Sequence, residues 1–228
     1  MDIRYRDRHE AGCVLAGLLE GYAHRSDVLV LGLPRGGIAV AYEVAVALGL
    51  PLDCFVVRKL GLPGHEELAM GAIASGGVRV LNSEVIESCG VPQHVIESVA
   101  AWEGRELERR ERLYRGHRTP PDISGRTVIL IDDGLATGST VRAAVAALKA
   151  QGPARIVVAV PVASGSTCEI VAGEIDELVC PFCPDPFLAV GLHYEDFTQT
   201  TDEEVQTLLD QRTAVVPVKP SAADGMAG

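Results

Sequence analysis

The sequence predicts an α/β fold built on a parallel sheet, and three observations carry that prediction. Val128-Ile129-Leu130-Ile131 is an unbroken aliphatic run, the pattern of a strand covered on both faces. A glycine-containing turn leads from it into Val141, Ala144, Val145 and Leu148, spaced i, i+3, i+4, i+7 as on one face of a helix that Gly152 closes. The same strand–glycine turn–helix order occurs at residues 28–48, and a further buried run, Ile156 to Val160, follows the second such helix. Strands alternating with helices form parallel sheets joined by right-handed crossovers.

Composition narrows the class. The chain has 228 residues, 47% of them hydrophobic, enough for one domain with a core of useful size. Its net charge of −11 and pI near 5.0 repel nucleic acid unless a local basic patch intervenes. The opening residues are charged and lack the apolar stretch of a signal peptide, and no run is long enough to span a bilayer. A cytoplasmic protein is expected. Six cysteines stand at 13, 54, 89, 168, 180 and 183. Only Cys180-Pro181-Phe182-Cys183 has a suggestive spacing. A zinc site would need a second pair or histidines nearby, and the sequence offers no clear one. The pair follows a strand-like run instead of opening a helix, as redox pairs do, so unpaired thiols near a strand end are expected.

In chain order, residues 9–22 are expected to form a helix with Leu15, Leu18, Leu19 and Tyr22 on one face. The strand Val28 to Leu31 runs into Pro34-Arg35-Gly36-Gly37, then into a helix built on Ala41, Val44, Ala45 and Leu48. That turn offers backbone N–H groups to an anion, and Arg35 adds a guanidinium fork. Leu52 to Val57 is a third apolar run ending in Arg58-Lys59. These two cations read either as a solvated pair or as a clamp at the carboxyl edge of the sheet, where sites of open α/β folds collect. Residues 60–73 begin rich in Gly and Pro and are expected to be a mobile loop. His65, Glu66 and Glu67 are its titratable groups, with a base-contacting role set against plain exposure. Gly76-Gly77 marks a hairpin turn before Val78 to Leu81.

Residues 92–118 form a long charged segment. Glu106–Arg110, Glu108–Arg112 and Glu111–Arg115 are i, i+4 pairs in the favourable order, so a solvated, salt-bridged helix is expected. Thr119-Pro120-Pro121 ends it. After the helix at 141–148 come a strand over 155–162, a short helix over 166–175 and a last strand from 177. The segment 183–197 is aromatic and irregular.

Asp132-Asp133-Gly134-Leu135-Ala136-Thr137-Gly138-Ser139-Thr140 is the most informative stretch. A glycine turn opening a helix suits phosphate. Two carboxylates beside it would repel phosphate unless they face sugar hydroxyls or a divalent cation held through water. A ribose carrying a 5′-phosphate satisfies both halves. The stretch resembles the phosphoribosyl-pyrophosphate (PRPP) motif of type I phosphoribosyltransferases. The resemblance implies that Asp132 and Asp133 bind the ribose hydroxyls and, through water, Mg²⁺. It also implies that Ala136, Thr137, Gly138, Ser139 and Thr140 bind the 5′-phosphate. Arg35, Gly36 and Gly37 resemble the family's pyrophosphate loop, which in many members carries a cis peptide; Arg58 and Lys59 would contact pyrophosphate too. Asp132, Asp133, Arg35 and Lys59 form the implied catalytic set, and the 60–73 loop would close over the substrates and exclude water. Residues 183–197 resemble the segment with which purine phosphoribosyltransferases hold their base. By that match Phe187 stacks on the acceptor, and Asp185, Tyr194 or Asp196 bonds to it. The purine enzymes place a lysine after the preceding strand. This chain has Pro161-Val162-Ala163-Ser164 there, which argues against a 6-oxopurine acceptor.

The resemblance covers about residues 28–200 and is nearest to the uncharacterised "predicted phosphoribosyltransferase" group. It implies a type I core over about 28–180, a small hood from 181–200 plus the N-terminal helix, a single domain over 1–212 and a loose tail over 213–228. The implied reaction is displacement of pyrophosphate from Mg·PRPP by a nucleobase or related small acceptor, in a homodimer that binds neither nucleic acid nor membrane. A PRPP- or nucleotide-sensing regulator, and a hydrolase or phosphorylase using the same pocket, stand as alternatives.

Overall fold

The computed structural model describes residues 5–215. Helix α1 (Arg8–Leu18) is capped by Asp7, whose carboxylate accepts the Glu10 N–H at 2.8 Å. Strand β1 (Val28–Gly32) and helix α2 (Gly36–Leu48) follow, then β2 (Leu52–Cys54), β3 (Val57–Leu62), β4 (His65–Ala74), β5 (Val78–Leu81), α3 (Ser83–Ser88) and α4 (Gln93–Arg115). The second half holds β6 (Thr127–Ile131), α5 (Ser139–Lys149), β7 (Arg155–Ala159), α6 (Gly165–Ala172), β8 (Glu177–Val179) and α7 (Asp202–Val215). Five strands form a parallel sheet in the order β2-β1-β6-β7-β8. β1 and β6 are buried along their whole length, and their alternation sorts the core into two layers. Val28, Val30, Ile129 and Ile131 face α1, α2 and α7, whereas Leu29, Leu31, Val128 and Leu130 face α5. The α/β parallel-sheet fold expected from the sequence is the one found.

From β1 the chain builds outward to β2, and from β6 it builds the other way through β7 to β8. The strand order therefore reverses between β1 and β6. Crossovers leave a crevice beyond the carboxyl ends at such a switch point. The two ends there lead into Leu33-Pro34-Arg35 and Asp132-Asp133.

Several expectations are corrected. The apolar run at 52–57 is not one strand: β2 stops at Cys54, and Phe55 and Val56 carry the chain into a second, antiparallel sheet, β3-β4-β5. The crossing is fixed by Phe55 N–H to the Gly32 carbonyl and by Val56 N–H to Ser75 Oγ, both at 2.9 Å. The stretch expected as a mobile loop is consequently a hairpin, with Val57 opposite Ala74 and a β-bulge at Gly61. Its buried Leu60 and Met70 pack with Ile96 and Leu107 of α4, which outweighs the local Gly and Pro content. Gly76 and Gly77, at φ of +86° and +74°, make the expected turn into β5.

The charged helix is only partly solvated. All three i, i+4 pairs form, at 2.8–3.0 Å. Yet Arg115 is 5% exposed, reaches Asp53 at 3.1 Å and donates to the Cys54 carbonyl at 3.0 Å, pinning α4 to β2. Helix α7 is not among the elements expected from the sequence. It reaches Val215, into the stretch read as tail; the rest of that tail, 216–228, lies outside the described residues. Its start is a reciprocal cap in which Thr201 N–H donates to Glu204 and Glu204 N–H to Thr201 Oγ. Val205 and Leu209 bury against the α2 side of the sheet, and Arg212 donates to the Leu50 carbonyl.

Residues 181–197 lie over Tyr5 and α1 in a small third cluster. Tyr5, Ala11, Val162 and Tyr194 are buried there, with Phe182, Phe187, Val190 and Phe197 around them. Among the described residues no helix is long and apolar enough to cross a membrane.

Candidate active site at the switch point

Asp132 and Asp133 leave the buried end of β6 directly into the crevice. Asp132 Oδ1 accepts the N–H of Asp133 at 2.9 Å. Burial, and then the charge of Asp133, hold the Asp132 carboxyl well above the ordinary carboxylate range. Burial also raises Asp133, opposed by Arg8. The Arg8 Nε and Nη2 both lie 2.8 Å from Asp133 Oδ2, and Nη1 donates to the Thr198 carbonyl. Its guanidinium sits 4.0 Å above the Phe197 ring.

The first turn of α2 passes directly against this pair. A Cβ on Gly36 would lie 1.9 Å from Asp133 Oδ2, and one on Gly37 would lie 2.7 Å from the Ile131 carbonyl oxygen. Both positions must therefore be glycine for the two loops to meet. The Pro34–Arg35 peptide is cis. The turn after the acidic pair is seated on α6: Thr167 Oγ1 donates to the Ala136 carbonyl at 2.7 Å. Gly138, at φ +68°, caps α5 with no side-chain hydrogen bond. Ala136, Thr137 and Thr140 are exposed beside it. A helix N-terminus of this kind accepts an anion.

A cavity of about 760 Å³ opens against Asp133, within the range usual for small-molecule sites of about 300–1,000 Å³. Arg8, Arg35, Gly36 and Asp133 form one wall. Arg109, Arg110 and Tyr114 of α4 form another, and Val190, Phe197, Gln199, Thr200 and Asp202 complete it. Four arginines against two aspartates make a space suited to a polyanion. Arg109 and Arg110 are held at 2.8 Å by the two oxygens of Glu106, whose carboxyl is lowered to about 2 by those hydrogen bonds. Arg35 Nη1 lies 3.8 Å from Asp202 Oδ1, which accepts the Tyr114 hydroxyl at 2.7 Å.

The fold thus brings Arg35, Gly36, Gly37, Asp132 and Asp133 together, with 136–140 on the adjoining turn. Arg58 and Lys59 are elsewhere. They lie in β3, Arg58 bound to Glu103 at 2.6 Å and Lys59 opposite Ala72, and neither lines the cavity. The reason is the switch of sheets at Phe55, which a continuous apolar run conceals. His65 opens β4 and is exposed, and Glu66 and Glu67 follow in that strand. The expected acceptor residues do not line the cavity either. Phe187 stacks on His193 at 5.7 Å, while Asp185 and Asp196 are exposed. Tyr194 is 2% exposed and donates its hydroxyl to the Asp133 carbonyl at 2.6 Å, so it positions the acidic pair. Sequence reasoning misses Arg8, Arg109, Arg110, Tyr114 and Asp202. The arginines of α4 sit among interleaved glutamates, and nothing in spacing marks Arg8 or Asp202.

A switch-point crevice with an acidic pair, a glycine turn and a helix N-terminus is an arrangement in an α/β protein that suits phosphate and sugar. Residues 13–172 match the family model described as the phosphoribosyl transferase domain, and the chain belongs to that family. It is 44% identical to the "Putative phosphoribosyl transferase" of Mycobacterium tuberculosis H37Rv over 91% of this chain and 46% of that protein. It is 35% identical to the bifunctional protein PyrR of a Roseiflexus strain, over 69% of this chain and 81% of PyrR. Among solved structures it matches TT1426 of Thermus thermophilus at 42% identity and a TM-score of 0.83, covering 91% of this chain and 98% of that one. The chain spans about half the length of the mycobacterial relative.

Proposed function

We propose that this domain binds Mg·PRPP at the switch point and transfers its 5-phosphoribosyl group to a small acceptor, releasing pyrophosphate. The observation that carries the reading is the contact of Gly36 and Gly37 with Asp133 and Asp132, beside the arginine-lined cavity. In this reading Asp132 and Asp133 accept the ribose hydroxyls, and the α5 N-terminal turn from Ala136 to Thr140 takes the 5′-phosphate. Arg35 faces the diphosphate from the α2 turn, and Arg109 and Arg110 face it from α4. Binding the ribose hydroxyls requires Asp133 to exchange its ion pair with Arg8 for the ligand. Arg8 then becomes a further cation for the diphosphate.

The donor set fits Mg²⁺. Asp132 and Asp133 are hard oxygen donors whose carboxyls are raised by burial and, for Asp132, by its neighbour's charge, which a cation would relieve. Held through water by that pair, Mg²⁺ would neutralise charge on the departing pyrophosphate. The chain's own residues hold the ribose in place while C1 loses its leaving oxygen and gains a bond to the acceptor. No side chain with nucleophilic chemistry has to intervene.

The test is pyrophosphate release from Mg·PRPP, run with purine bases, pyrimidine bases and no base, with Asp133→Asn as control. Base-dependent release lost in the variant supports transfer and names the acceptor class. Release without any base would replace transfer by hydrolysis, and PRPP binding unaffected by Asp133→Asn would overturn the site.

A further inference from the structure

Beyond the switch-point crevice the fold gathers three cysteines that are distant in sequence. The sequence offers no second pair to Cys180 and Cys183; α6 supplies Cys168. Cys168 Sγ lies 3.1 Å from Cys183 Sγ, and Cys183 Sγ lies 3.6 Å from Cys180 Sγ. All three sulfurs fall within 4.8 Å of one another. All three are free thiols. Cys168 and Cys180 are half-buried, and Cys183 is exposed. The backbone around them is held: Ala163 N–H donates to the Phe182 carbonyl at 3.1 Å, and Val162 bridges to Phe182. Cys168 follows Thr167, which is anchored to Ala136 and to Ser164.

The geometry points to a Zn²⁺ site on Cys168, Cys180 and Cys183. Zn–S bonds of about 2.3 Å in a tetrahedron separate ligand sulfurs by about 3.8 Å. The Cys180–Cys183 separation already matches, and a small rotation of the exposed Cys183 side chain opens the shorter Cys168–Cys183 one. Three thiolates select a soft d¹⁰ cation over Mg²⁺ or Ca²⁺. The fourth position is left to water or an exogenous ligand. A bound ion would tie α6, which carries the turn at Ala136, to the 180–183 segment.

The experiment is Zn²⁺ titration of the reduced, metal-stripped full chain. It carries C13S, which removes the sulfur of the separate His9, Cys13 and Glu43 group. One Zn²⁺ per chain is expected, with Cys168, Cys180 and Cys183 together protected from alkylation and Tm raised. Co²⁺ in its place should give a thiolate charge-transfer band. C183S, at an exposed position, should weaken Zn²⁺ binding by at least the roughly 10–100-fold that outer-shell partners of a metal carry, and abolish the Tm shift. C168S should do the same. Unchanged binding in C183S, protection of fewer than these three thiols, or a Cys168–Cys183 disulfide with no uptake by the reduced chain would each overturn the site.

Discussion

The two walls of the cavity are made by different physics. One is the edge of the parallel sheet, where the buried strands β1 and β6 end in two loops that touch through Gly36 and Asp133. Core packing on both faces fixes those strand ends, so the positions of Asp132 and Arg35 follow from hydrophobic burial. The other wall is charged and helical. Arg109, Arg110 and Tyr114 on α4 and Asp202 on α7 are placed by ion pairs and hydrogen bonds. The first wall lies within the matched residues 13–172 apart from Arg8; the second draws Phe197 and Asp202 from beyond them. One wall thus rests on strand ends set by the core, and the other supplies charge from α4 and α7.

The largest effect should fall on the anchor of the helical wall. Arg115→Ala leaves Asp53 buried without its cation, a loss of about 3–5 kcal/mol that denaturant unfolding should report. A loss under about 1 kcal/mol would show that α4 is placed by its apolar face alone. Next come the cavity arginines. Arg109→Ala and Arg110→Ala should each weaken PRPP binding roughly ten- to a hundredfold, the weight of a charge-assisted hydrogen bond, with little change in Tm. Arg112→Ala, on the same helix but facing solvent, should leave binding unchanged. Equal effects at 110 and 112 would erase the distinction between wall and surface.

The contrast between the walls also explains what could be read from the sequence. Runs such as Val128 to Ile131 have one physical meaning in a chain this apolar, and Asp132-Asp133 with Gly134 and Gly138 marks the turn and the helix start beyond that strand. The 52–62 stretch misleads because a strand that changes sheets keeps its apolar character, so Arg58 and Lys59 look like a sheet edge and lie in a hairpin. Arg109 and Arg110 look solvated because Glu106 neutralises them locally. Helix α7 did carry a signal: Thr201 and Glu204 have capping-box spacing ahead of Val205 and Leu209. Arg8 and Tyr194 had none, since their contacts with Asp133 span 125 and 61 residues of chain.

Smaller effects sharpen the picture. Thr201→Ala removes half of the α7 cap and should cost about 1 kcal/mol in thermal or denaturant unfolding. Acid should reach the helical wall through Glu106. Its carboxyl is lowered in the folded state, to about 2 from an ordinary 4.5, so its contribution is present above about pH 4.5 and lost as pH falls toward 2. Glu106 is solvent-accessible, so the effect is small and screened by salt. Glu106→Gln should flatten this part of the acid-stability curve, and an unchanged curve would show the pairs contribute nothing.

Calorimetric titration of Mg·PRPP into the chain, its Asp133→Asn variant and an Arg109→Ala/Arg110→Ala double variant tests the account most directly. One site per chain is expected, weakened at least about tenfold by each change, because the ligand must touch both walls. Binding that survives Asp133→Asn unchanged, or no binding by the parent chain, would contradict it.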